Sequence, residues 1–382
     1  MEGLQEFDLN PSLDLLRNYA DNKDIQNVLE SFQEERYSDA VGSIELAKKT
    51  LNHGEMMKEL LFLELVSYLQ MGMRENARRC IQELYPLIAE DDYEKLLFLG
   101  ELTIQIDLKL ARRIVSETAN KFEGKDDVSD LIMKKTFLLL AEAEEKLEKL
   151  PRAIKYYQRA ISCMNEDQAE DLKMLPILYF KLGMLSANLD RNEEAIGYLE
   201  KGLELAGDQE EASIHMLAAL GAIYGKIEKG KEAAVYLTNA LILLADSVLK
   251  DTLIHAEVLT ELGYISFDLG KINEALPFYE QAIAIYHKDK DHGITNRKLG
   301  MIYMQYAYCL EHKEKPNKAQ AGMHYENGLR YLEQAGDQEL YENAMLDVIA
   351  FFNANHNKKK ARYYENKILK LANKNGVSPS SR

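Results

Sequence analysis

Small and apolar residues recur in one order along most of the chain. A small residue is followed twelve positions on by Ala, then four further by a bulky residue, and usually three beyond that by a second small one. The clearest copies are Gly183/Ala195/Leu199/Gly202, Gly221/Ala233/Leu237/Ala240 and Gly263/Ala275/Tyr279/Ala282, with Ala141/Ala153/Tyr157/Ala160 as a fourth. Steps of four and seven residues fall on one helix face. The twelve-residue step crosses a polar break at Asp190-Arg191-Asn192, Glu228-Lys229-Gly230 or Gly270-Lys271-Ile272-Asn273, a composition that stops helices. Each copy therefore predicts a helix, a tight turn and a second, antiparallel helix. The small residues let the two helices approach, and the large ones fill the groove against the next pair.

With the Ala as marker, further copies fall at Ala40, Ala77 and Ala111 before this block and at Ala321 and Ala361 after it. The Ala321 copy requires a turn two residues longer, around Lys315-Pro316-Asn317. Nine markers give a mean spacing of about 40 residues, long enough for helices of several turns. The predicted organisation is a cap segment over 1–24, an array of helix pairs over 25–374 that is clearest over 135–285, and a disordered tail over 375–382, with Gly376, Ser378, Pro379, Ser380 and Ser381. Asn10-Pro11-Ser12 suits the start of a short capping helix over Leu13, Leu15, Leu16 and Tyr19. Loops around Glu123 to Asp127 and Lys288 to Asp291 read as connections between pairs.

The pattern resembles the tetratricopeptide repeat. Its motif stands as Tyr179-x-x-Leu182-Gly183 followed by Glu194-Ala195, as Leu220-Gly221-x-x-Tyr224 followed by Ala233 and Ala240, and as Leu262-Gly263 followed by Glu274-Ala275 and Tyr279-x-x-Ala282. A minimal repeat of that kind takes about 34 residues, so these are long members. They are divergent too: the closing Pro is absent at Gly207, Ala245 and His287, and Tyr179, Leu217 and Leu259 replace the Trp. The resemblance implies an all-α, right-handed α-solenoid of about nine helix pairs, with first helices lining a concave groove. By the same resemblance, the groove positions are Ile177, Phe180, Met184 and Ala187; His215, Ala218, Ala222 and Gly225; Glu257, Thr260, Tyr264 and Phe267; and Met301, Met304, Tyr308 and Glu311. The site expected from them comprises Phe180, Met184, His215, Glu257, Thr260, Tyr264, Phe267, Met304 and Tyr308, a largely apolar and aromatic lining suited to a protein or peptide segment. Packing on neighbouring helices is the competing role for Tyr264, Phe267 and Tyr308. Members that clamp a C-terminal carboxylate use Lys and Asn where this chain has Phe180, Met184, Ala218, Ala222, Thr260 and Tyr264, so no such clamp is expected. Asn188, Asn343 and Asn353 could anchor a peptide backbone, although a turn or surface role is the simpler reading.

Composition narrows the function. The chain has 382 residues with 46% hydrophobic content and only 7 Pro and 21 Gly, enough for a folded core. A net charge of −16 argues against a general nucleic-acid or anionic-membrane surface. The N-terminus lacks the apolar run of a signal peptide, and the most apolar stretch, Leu60 to Leu69, is too short to span a bilayer. Cys80, Cys163 and Cys309 are far apart, which fits reduced packing residues in a cytoplasmic protein. The 8 His form no metal-ligand spacing, and no nucleophile elbow, P-loop or dinucleotide-binding glycine pattern occurs. The expectation is a non-enzyme with no metal or cofactor. Charge is uneven: residues 1–40 hold ten acids and three bases, whereas 353–382 hold eight bases and one acid. The simpler reading is that the basic residues solvate the last helix and favour its C-terminal dipole; the alternative is a salt-dependent head-to-tail homo-oligomer.

Long repeats filling a chain of this size also resemble the regulatory domains of the Rap/PlcR/NprR peptide-pheromone receptors, which bind a short signalling peptide inside the solenoid. The chain departs from them at its start, because a repeat is already under way from Val28 to Ala40, where those receptors carry a DNA-binding domain or a three-helix bundle. The resemblances together imply a non-enzymatic protein- or peptide-binding scaffold. The alternatives are a peptide-sensing regulator without its own DNA-binding domain, or a regulator acting on a response-regulator partner.

Overall fold

The computed structural model describes residues 10–50, 54–89, 92–121, 128–288 and 296–374. Among these, all regular structure is helical: nineteen α-helices and one 3-10 turn. The chain divides into two compact units, 1–174 and 175–382. The first holds α1 (Asn10–Arg17) and four helix pairs: α2 (Lys23–Gln33) with α3 (Tyr37–Thr50), α4 (Gly54–Gln70) with α5 (Arg74–Leu84), α6 (Tyr93–Ile104) with α7 (Leu108–Asn120), and α8 (Asp130–Lys146) with α9 (Leu150–Ser162). The second holds most of α10 (Ala169–Asn188), paired with α11 (Asn192–Leu205), and four further pairs. These are α12 (Glu210–Lys226) with α13 (Gly230–Leu244), α14 (Leu253–Asp268) with α15 (Ile272–Lys288), α16 (Asn296–His312) with α17 (Lys318–Ala335), and α18 (Gln338–Ala354) with α19 (Lys358–Lys374). The architecture is the expected α-solenoid, with nine pairs after a leading helix. The tail 375–382 and the connections at 123–127 and 289–291 lie outside the described residues.

One contact recurs within the pairs. A Cβ on Gly183 would sit 2.6 Å from Leu199 Cγ, on Gly221 2.3 Å from Leu237 Cγ, and on Gly263 2.6 Å from Tyr279 Cε1. Each distance is below van der Waals contact, so the bulky residue of the second helix lies directly on the bare backbone of the first. Leu199, Leu237 and Tyr279 have 0% exposure, as do their markers Ala195, Ala233 and Ala275. Burying such a side chain contributes about 1.5–3 kcal/mol, available only at the close approach a glycine permits. The second small residue works in the same way: a Cβ on Gly202 would meet Met216 Sδ of the following pair at 2.7 Å.

The turns inside the pairs also share a geometry. Asp190, Glu228 and Gly270 take left-handed φ values of 57°, 60° and 72°. The next residue then donates its N–H back into the first helix, Arg191 to the Ser186 carbonyl at 3.0 Å, Lys229 to Tyr224 at 2.9 Å and Lys271 to Ser266 at 2.8 Å. This closes the end of the first helix and reverses the chain in two or three residues. Glu35, Glu148 and His356 do the same. The longer turn before α17 ends on Asn317, whose side-chain oxygen accepts the Gln320 N–H at 3.2 Å as an N-cap. In α1, Leu16 is buried as expected, but Tyr19 is 44% exposed, because the helix ends at Arg17 and leaves Tyr19 in the following turn.

The register makes a direct prediction. Ala233→Leu adds three heavy atoms at a site with 0% exposure and should lower stability by about 1–3 kcal/mol, measured by denaturant unfolding; a neutral result would contradict the packing described here.

Candidate functional site

The second unit carries two clefts formed mainly by its first helices. The first, of about 780 Å³, is lined by Pro176, Ile177 and Phe180 of α10, by Asp208 to Ala212 and His215 around the start of α12, and by Asp246, Ser247 and Val248. The Phe180 and His215 rings lie 6.0 Å apart. Ile177 and Val248 are exposed apolar residues, whereas Glu210 and Glu211 occupy the first turn of α12, where the helix dipole favours acids.

The second cleft, of about 460 Å³, is built from the last turns of three first helices. It is lined by Phe267 of α14, by Met304, Gln305, Tyr308, Glu311 and His312 of α16, and by Asp347, Ala350, Phe351 and Ala354 of α18, with Tyr325 of α17 behind them. These positions share a face because residues three and four apart lie on one side of a helix. Phe267 and Tyr308 meet edge to face at 5.4 Å, and Tyr308 stacks on His312 at 3.9 Å. The buried Tyr325 packs 4.9 Å from Phe351 and donates its hydroxyl to Glu311 at 3.0 Å. Gln305 accepts from Tyr279 at 2.9 Å. Burial first, and then the Glu311 and Asp347 charges, push the Tyr325 hydroxyl well above the usual phenol range, so it stays a neutral donor.

The nine expected site residues therefore separate. Phe180 and His215 line the first cleft, and Phe267, Met304 and Tyr308 line the second. Met184 is 37% exposed but lines neither. Glu257 is half-buried and faces Lys298 at 3.9 Å. Tyr264 packs edge-on against Tyr279 at 5.9 Å. Thr260 has 0% exposure. Its hydroxyl donates to the Ala256 carbonyl at 2.7 Å and lies 3.3 Å from the Tyr286 hydroxyl. Thr260 is thus a core residue, not a groove contact, because its face of α14 turns toward α15. Asn188, Asn343 and Asn353 are exposed and line neither cleft. The α18 wall, with Asp347 and Phe351, was not among the expected positions. Twelve residues before the Ala361 marker stands Ile349, not a small residue, so the register gave no purchase there.

Several buried charged groups of the first unit have structural partners. Lys134 and Asp171, both buried, form an ion pair in the first unit. Burial opposes the Asp171 charge, but Lys134 and the Asn165 N–H hold its carboxyl below the usual range. Glu59 accepts from Ser12 and faces Lys58 at 3.7 Å and Lys95 at 3.6 Å. Among the described residues no three His, Cys, Asp or Glu gather as a metal site, and no helix is long and apolar enough to cross a membrane. In the basic final helix, Lys360 pairs with Glu326 at 2.8 Å and Lys367 with Glu333 at 2.9 Å. Lys358, Lys359 and Arg362 surround a separate hollow with Tyr363 and Asn366.

Residues 177–209 and 255–288 each match a tetratricopeptide-repeat family model; these segments contain α11 with most of α10, and α15 with most of α14. The apo form of RapI is similar in structure, with a TM-score of 0.58 at 14% identity, covering 97% of this chain and 99% of that one. A signal-transduction ATPase with a tetratricopeptide-repeat sensor from Pyrococcus horikoshii gives 0.55 at 17% identity, covering 88% of this chain and 52% of that one. Part of a TPR repeat-containing protein from Cytophaga hutchinsonii gives 0.51 at 16% identity, covering 76% and 97%. At these identities the likeness is one of fold. No curated protein matches the chain by sequence.

The cysteines give a check on this chemistry. Cys80 and Cys309 are buried free thiols and Cys163 is half-buried; burial pushes the Cys309 thiol up to about 12. A thiol reagent at neutral pH should modify Cys163 first in the native protein, and all three only after denaturation. Fast native modification of Cys309 would contradict its placement.

Proposed function

We propose that this chain is a non-enzymatic, peptide- or protein-binding tetratricopeptide-repeat scaffold, and that recognition takes place in the second unit. The observation that carries this reading is the second cleft. Phe267, Met304 and Tyr308 come from two different repeats, yet they converge on one cavity with Phe351 and a few polar points. The exposed Tyr308 ring beside the half-buried Phe267, with scattered hydrogen-bonding groups, suits an extended or helical segment that presents apolar side chains. The free Cys80, Cys163 and Cys309 suit a reducing, cytoplasmic setting.

A peptide-sensing regulator is the second reading, favoured by the fold likeness to RapI over nearly the full length of both chains. Sensing demands more than binding, because the ligand must favour one of two conformations. A short peptide that binds only the folded chain raises its melting temperature, and a change of conformation on binding would distinguish sensing from scaffolding.

Phe267→Ala combined with Tyr308→Ala should weaken capture of peptides from a random octapeptide pool by about tenfold or more, the loss typical of aromatic anchors, at a temperature where the double variant is still folded, since Phe267 also packs on the core. Undiminished capture by the folded double variant would move recognition elsewhere.

Self-association through the basic last helix is a separate proposal, supported by Lys358, Lys359 and Arg362, which carry no ion pair among the described residues. Light scattering should then show an oligomer at low salt that dissociates at high salt; a monomer under both conditions removes it.

A further inference from the structure

The electrostatics of the second cleft go one step further, on the premise that it binds a peptide segment. All charged side chains in its lining are acidic, Glu311 and Asp347, and none of the lining residues is Lys or Arg. Several other acids of the second unit do have basic partners: Asp337 faces Arg297 at 3.1 Å, Glu326 faces Lys360 and Glu333 faces Lys367. Asp347 is exposed at the cleft wall and has no hydrogen bond or ion pair among the described residues; partial desolvation alone moves its carboxyl above the usual range.

The backbone adds to this field. Phe267 is one residue from the end of α14, His312 ends α16 and Ala354 ends α18, so three helix C-termini face one cavity. Each contributes the negative end of its helix dipole, with turn N–H groups already bound to carbonyls such as Ser266, Leu310 and Phe352. The first cleft is acidic too, with Asp208, Glu210, Glu211 and Asp246, but there Glu210 and Glu211 sit in the N-terminal turn of α12, where helix and side-chain charges offset one another. The exposed Tyr308 ring, one face of which is covered by His312, and the half-buried Phe267 ring complete an aromatic wall along which an aliphatic stem can lie.

We propose that this cleft takes an Arg or Lys side chain of the bound segment, its charge facing Asp347 and Glu311 and its aliphatic stem lying along Phe267 and Tyr308. A guanidinium or ammonium fits all three features, whereas an acidic or purely apolar side chain would leave Asp347 unmatched.

The test pans the full chain against a random octapeptide library and sequences the retained peptides. Arg and Lys should be enriched about tenfold over Gln at one position, which corresponds to about 1.4 kcal/mol. Asp347→Asn with Glu311→Gln should abolish that enrichment, whereas Asp208→Asn in the first cleft should leave it intact. Asp347→Lys should invert the preference toward Asp and Glu, a gain that misfolding cannot mimic. Peptides retained without a basic preference, or a preference unmoved by the Asp347 variants, would overturn the cation site and leave peptide binding standing. Retention of no peptide by the unaltered chain would overturn both.

Discussion

The close approach of two helices at a residue without a side chain is the constraint on which the rest of the second unit depends. Where Leu237 lies on Gly221 and Tyr279 on Gly263, the rotation of each helix about its own axis is fixed. That rotation sends Ala233, Ala240, Ala275 and Ala282 to the core with 0% exposure. It also decides which residues of α12, α14 and α16 remain for solvent or a ligand. Turns such as Glu228-Lys229 keep the helix ends in register, so the face left over in one pair recurs in the next.

The same regularity produces the second cleft. First helices of successive pairs run in one direction and finish at comparable heights, so Phe267, His312 and Ala354 arrive together with their helix ends. A stack of identical pairs would carry such a row of negative ends along its whole length. Here side chains set one place apart, because Asp347 and Glu311 add charge and Phe267, Tyr308 and Phe351 supply an apolar wall. Recognition in this reading comes from side-chain choice at a few positions of a repeated backbone, as is usual where one fold serves many binding functions.

The fold was legible because its signal is periodic. The +12, +4 and +3 steps located the helix pairs, the turns at Asp190, Glu228 and Gly270, and the contacting residues Leu199, Leu237 and Tyr279, all of which depend on local spacing. The site was less legible, since facing direction varies by a fraction of a turn and repeat statistics do not resolve it. Thr260 was expected at the groove, but its hydroxyl is satisfied by Ala256 inside the core. Asp347 and Phe351 were not foreseen because the last pair has Ile349 where a small residue would mark the register. Signals for them did exist in the chain: Asp347 is an acid within the apolar run of α18, and Phe351 and Phe352 close the same helix.

Hydrogen exchange of the full chain, free and saturated with a peptide selected on it, tests most directly whether the second cleft is the recognition site. Amides in the last turns of α14, α16 and α18, around Phe267, Tyr308 to His312 and Asp347 to Ala354, should gain protection on binding. Protection confined to the first unit or to the α10 and α12 cleft, with those three helix ends unchanged, would contradict it.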